Sequence, residues 1–132
     1  MFLIFDTETT GKAKSYSAGC KAIHNWPRCV QLAWQLHDFS GKLIEIKNYI
    51  IYPENFIIPL DVSKIHGITT KRAKEEGHSL SYVLNEFYLA LQKCKYIIAH
   101  NITFDVNVIF CEFYREAILR GNKRAVLKLN TF

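Results

Sequence analysis

No CxxC pair occurs in the chain, and no apolar run is long enough to span a bilayer. Only Met1 precedes the first hydrophobic stretch, so no secretory leader is expected. Internal repeats, low-complexity tracts and signs of a second domain are also lacking. These absences exclude a membrane protein and a disulfide-stapled secreted scaffold. They leave one domain over residues 1–132 in a reducing cytoplasm, with Cys20, Cys29, Cys94 and Cys111 as free thiols. Cys20, His24 and Cys29 lie close together, but their spacing is irregular and a fourth ligand is not evident, so no zinc site is expected. One further absence matters most: after Asp105 the chain has no Asp and no His.

What is present is ordinary for a globular domain with a real core, at 49% hydrophobic and 22% charged residues. Nine Phe, seven Tyr and two Trp make it aromatic-rich. The net charge of +5 and a pI near 9.0 fit a polyanionic partner without demanding one.

Hydrophobic patterning divides the chain. Residues 2–8 read as a strand, followed by a polar, basic connection over 12–27. Residues 29–39 and 43–53 read as an antiparallel hairpin about the turn at 40–42. A short helical turn over 62–68 stops at Gly67. Thr69 or Thr70 caps a helix ending at Gly77, and Ser79 caps a longer one with Leu80, Val83, Leu84, Phe87 and Leu91 on its apolar face. Residues 95–100 read as a short buried strand, Thr103 to about Arg120 as a helix, and 125–132 as the start of a last strand. This order predicts an α/β domain with a mixed sheet, the first strand central, flanked by helices.

Two stretches carry chemistry. In "FLIFDTETTG" (2–11) an apolar strand runs into Asp6 and Glu8. Alternation places both carboxylates on one side of the strand. Their repulsion is relieved either by water at a strand end or by a divalent cation, which favours carboxylate oxygens. In "IIAHNITFDVNVI" (97–109) a hydrophobic strand delivers His100 and Asn101 to a sheet end, and Asp105 enters the next helix. Asp105 reads either as an acid favoured in a first helical turn or, if this strand pairs beside the first, as a third carboxylate in one cleft. Two bridged metal ions there would suit phosphoryl chemistry.

"FDTETTG" (5–11), "VSKIHGIT" (62–69) and "AHNITFD" (99–105), in this order, resemble the DnaQ-like DEDD proofreading exonucleases, typified by the epsilon subunit of bacterial DNA polymerase III. The resemblance covers essentially the whole chain. It implies a ribonuclease H-like fold and removal of nucleotides from 3′ ends with two Mg²⁺ or Mn²⁺ ions. It further implies Asp6, Glu8 and Asp105 as catalytic metal ligands, with Thr7, Thr9, His66 and Phe104 around the terminal nucleotide and Asn101 structural. A single-stranded DNA or RNA 3′ end is the implied partner, and a polymerase subunit a further one.

The chain departs from the family where a fourth aspartate should follow, with a histidine general base five residues before it (a tyrosine in a sister group). No general base is found in this chain. Glu112, on roughly the face of Asp105, lies ~10.5 Å further along the helix, too far to share a metal pair. The simplest expectation is a C-terminally truncated, feebly active exonuclease domain without its last helix. One sheet face would then be uncovered and could self-associate. The alternative is a non-catalytic nucleic-acid-binding module. Lys12, Lys14, Lys21 and Arg28 beside the first motif, and Lys71, Arg72 and Lys74 after His66, could meet a nucleic-acid backbone or simply be solvated.

Overall fold

The computed structural model describes residues 1–121. Strands β1 (Phe2–Thr9), β2 (Cys29–His37), β3 (Leu43–Ile50) and β4 (Tyr96–Ile98) form one mixed sheet in the order β3-β2-β1-β4. β1 pairs antiparallel with β2 and parallel with β4, and β2–β3 is the expected antiparallel hairpin. β1 is therefore interior, as its order and patterning predict. The strand expected at 125–132 lies outside the described residues.

Helices α1 (Leu60–His66), α2 (Thr70–Glu76), α3 (Leu80–Lys93) and α4 (Ile102–Leu119) complete the chain. Their ends follow local chemistry. Thr69 accepts from the Arg72 amide and Ser79 from the Tyr82 amide, each satisfying an otherwise orphaned N–H. Gly67 terminates α1 in the left-handed region (φ 79°), which glycine adopts without strain. Gly77 ends α2 for a different reason: a Cβ there would collide with the Ala73 carbonyl and the Tyr52 backbone.

The core lies on one face of the sheet. Leu3 and Phe5 of β1 and Leu32, Trp34 and Leu36 of β2 pack against Val83, Leu84 and Phe87 of α3 and Val108 and Ile109 of α4. Phe87 sits 5.3 Å from both Phe5 and Trp34. On the other face Ile98, Ile4, Gln35 and Ile46 share one register row, and all three isoleucines are exposed. β4 differs from expectation: it is exposed throughout, because it pairs over only three residues at the edge of the described sheet. Among the described residues no helix is long and apolar enough to cross a membrane.

Candidate active site

β1 alternates as its sequence requires. Leu3, Phe5 and Thr7 are buried toward the helices, while Ile4 and Asp6 face outward and Glu8 is half-buried. Beyond Glu8 the register with β2 slips: Glu8 faces Gln31 but Thr9 faces Cys29. Val30 is the extra residue of this bulge, and it turns into a second small cluster with Ile58, Ile68 and Ala73. The bulge thereby brings the α1–α2 region up to the end of β1.

His66 closes that contact. Its Nδ1 accepts from the Ile68 amide at 3.1 Å, so the ring proton sits on Nε2, which donates to the Thr9 carbonyl at 3.3 Å. The side chain thus caps the end of its own helix and also ties α1 to the strand carrying the two acids. Thr9 directs its hydroxyl to the Gly11 carbonyl at 2.7 Å.

Asp105 enters from the helix side. It is 3% exposed, and its Oδ1 accepts from the Thr7 hydroxyl at 2.6 Å and the Thr7 amide at 3.2 Å. β4 makes this possible, because its parallel pairing with β1 starts α4 beside the middle of that strand. Phe104, one residue earlier, lies 6.2 Å from Trp26 and from Tyr16.

Burial and neighbouring acids act on the Asp6 and Glu8 carboxyls. Burial raises the Asp6 carboxyl above 3.8 and the Asp105 charge adds to it, opposed by the Thr7 amide and by His100. Burial also raises Glu8 above 4.5, and Asp6 and Asp105 add to that. Their charged forms therefore cost folding free energy at neutral pH, and the cost fades as pH falls through the raised values toward the unfolded ones. Asp6→Asn is expected to raise the melting temperature at pH 7 in chelator, with the gain vanishing below about pH 4. Thermal melts across that range check this, and a pH-independent difference would count against it.

Hard oxygen donors crowded at a strand end suit a hard cation, and Asp6 and Glu8 fit that description. Asp105 is tied to Thr7 from the opposite side. Among the described residues, no three His, Cys, Asp or Glu side chains converge tightly enough to hold a metal ion as they stand.

Two roles were missed at the sequence level. His100, which the sequence delivers to the sheet end without a role, is exposed, and its charge bears on Asp6. The parallel pairing of Ile98 with Ile4 carries the chain out of β4 toward the end of β1 that holds Asp6. The second is Glu112, fully buried, which accepts from Arg28 Nε at 2.9 Å and from the Cys29 amide at 2.8 Å, with Arg115 Nη1 at 3.2 Å. Arg28 is therefore not a cation free to meet a nucleic-acid backbone. Its guanidinium serves Glu112 and also lies 4.5 Å from the centre of the Phe56 ring.

A family model described as "Exonuclease" (RNase_T) matches residues 3–123. No curated protein matches. Among solved structures, the chain is similar to Escherichia coli exonuclease I in complex with a dT13 oligonucleotide, with a TM-score of 0.70 and 24% identity, over 86% of this chain and 23% of that one. An ExoI/SSB-Ct complex is similar to the same degree, over 24% of its length. The chain thus spans about a quarter of the length of the structures it matches. At that identity the likeness establishes the ribonuclease H-like fold.

Proposed function

We infer the function from one premise: this chain belongs to the RNase_T exonuclease family, the DnaQ-like DEDD 3′–5′ exonucleases. The reading is a single domain, residues 1–132, that hydrolyses phosphodiester bonds at the 3′ ends of single-stranded nucleic acid. Asp6 and Glu8 would hold Mg²⁺ or Mn²⁺, with Asp105 reaching the same ions directly or through water. When bound, such a pair of ions supplies an activated water and a clamp on the leaving oxygen.

The remaining roles belong to the chain itself. Thr7 donates twice to one oxygen of Asp105 and so orients the other. His66 fixes the strand end through Thr9. Phe104 would offer an apolar wall beside Asp105 for the terminal nucleotide, and the Thr7–Thr9 end of β1 would lie near its 3′ hydroxyl.

The observation that carries this reading is that β1 ends with Asp6 and Glu8 on one side and with Thr7 bonded to Asp105 of α4 on the other, so three carboxylates stand around one strand end, where burial and the neighbouring acids push the Asp6 and Glu8 carboxyls up. A site that repels its own charges gains when a cation enters. Calorimetric titration with Mn²⁺ is expected to give millimolar or weaker binding, weak because no fourth aspartate follows Asp105. Asp6→Ala should remove it; undiminished binding in that variant would place the metal elsewhere. The exposed Lys12, Lys14 and Lys21 beside the first motif support a second reading, a nucleic-acid-binding module without catalysis. It would hold single strands tightly without metal, with affinity falling steeply as salt rises.

A further inference from the structure

We propose that the β1–β2 connection, residues 10–28, is a strand-binding element, in which the exposed ring of Tyr16 is a stacking platform for a nucleobase of the bound single strand. This rests on the exonuclease reading and adds to it the surface that holds the strand behind its 3′ end.

The first argument is structural expense. The connection has no helix or strand of its own, and loops of this length inside a compact domain are uncommon unless they function. It is nevertheless held in one shape. Asn25 grips Ser15 with two 2.8 Å hydrogen bonds, accepting from its amide and donating to its carbonyl. The buried Trp26 indole donates to the Gly19 carbonyl at 3.0 Å. Arg115 of α4 donates to the Ile23 and Trp26 carbonyls at 2.6 and 2.7 Å. A β2–β1 pairing needs none of these contacts.

The second argument is what this shape presents. Tyr16 is 51% exposed, although its ring lies 6.3 Å from Trp26 and 6.2 Å from Phe104. An aromatic surface therefore runs from the core, past the residue preceding Asp105, to an open ring at the edge of the site. A rigidly supported aromatic face with one side in water is the form that base stacking uses, and it tolerates any base.

The third argument is charge. Residues 10–28 contain no Asp or Glu, and Lys12, Lys14 and Lys21 are all exposed. Cations interleaved with an exposed aromatic suit a polyanion that carries planar groups. A protein partner would meet a surface with no acid to offer its own cations.

The test is anisotropy with 5′-labelled oligothymidylate in chelator, so that nothing is cleaved, run beside an abasic oligomer of equal length. Tyr16→Ala, and Tyr16→Leu as a variant that keeps apolar bulk over Trp26, should each weaken oligothymidylate binding about 5- to 150-fold, the effect of ~1–3 kcal/mol per stacked base at ~1.4 kcal/mol per tenfold. Tyr16→Phe and Tyr16→Trp should stay within about twofold. Binding of the abasic oligomer should be the same in every variant. Equal binding of oligothymidylate by wild type and Tyr16→Leu overturns the platform and leaves the exonuclease reading standing. An equal loss on the abasic oligomer also overturns it, because the ring would then act on the backbone or the fold. A wild-type chain that binds neither oligomer, and that also fails the Mn²⁺ titration, overturns both.

Discussion

Replacing Glu112 with alanine is expected to lower the melting temperature by roughly 10–20 °C, or to prevent folding altogether. The carboxylate is fully buried and serves three donors at once: Arg28, Arg115 and the Cys29 amide. Removing it leaves two guanidinium groups, both largely shielded from water, with no counter-charge, and a buried amide with no acceptor. Breaking a buried ion pair from one side costs ~3–5 kcal/mol, because the surviving charge keeps its desolvation penalty. Melts followed by circular dichroism at pH 7 read this directly. Glu112→Gln should fall between wild type and alanine, since it keeps an acceptor for Cys29 but not the charge. A melting temperature within a few degrees of wild type for the alanine variant would mean that water reaches the site.

Glu112 also illustrates what the sequence could and could not convey. Counting along the helix set it apart from Asp105 by about two turns. Counting gave no hint of its partners, because Arg28 and Cys29 stand more than eighty residues earlier and meet it only after α4 packs under the sheet. Strands and helices were legible because their apolar periods and caps are local: Thr69, Ser79 and Gly67 sit where side-chain chemistry demands. β4 was misjudged as buried because three apolar residues in a row look the same at an edge as in the interior, and only pairing decides. The placement of Asp6 and Glu8 on one side followed from the alternation of β1, whereas bringing Asp105 to that strand depended on the parallel pairing of β4, which the sequence left as a condition and the structure shows. That Thr7 spends its hydroxyl on Asp105 was not legible, since the resemblance pointed it at the terminal nucleotide and only the packing of α4 brings Asp105 to it.

Residues 1–132 are expected to shorten single-stranded 3′ ends only feebly, short by at least the 10²- to 10⁴-fold that a general base contributes, because no group among the described residues is placed to take the proton from an attacking water. The candidates can be considered in turn. Neither an Asp nor a His follows Asp105. Glu112 is sealed by its arginines, and Glu116 is paired with Arg120 at 3.1 Å, a further turn along α4. His66 has both nitrogens engaged, by the Ile68 amide and the Thr9 carbonyl. His78 is stacked on Tyr82, His37 lies against Gly41 and Gln35 on the hairpin, and His24 is exposed on the β1–β2 connection with no charge effect on Asp6 or Glu8. His100 alone is exposed with its charge bearing on Asp6, and it tests the argument from within. Added imidazole should raise the residual Mn²⁺-dependent rate, and Glu8→Ala should abolish both the residual and the rescued activity, since imidazole replaces a base but not a metal ligand. His100→Gln should leave the residual rate within about twofold if this imidazole is no base, against the 10²-fold or greater loss that removing a true one causes. Robust degradation that disappears in His100→Gln would instead assign the base to the strand that delivers it, β4. The active site would then be complete on a pattern in which one imidazole, from the end of the parallel strand, takes the place of a C-terminal histidine.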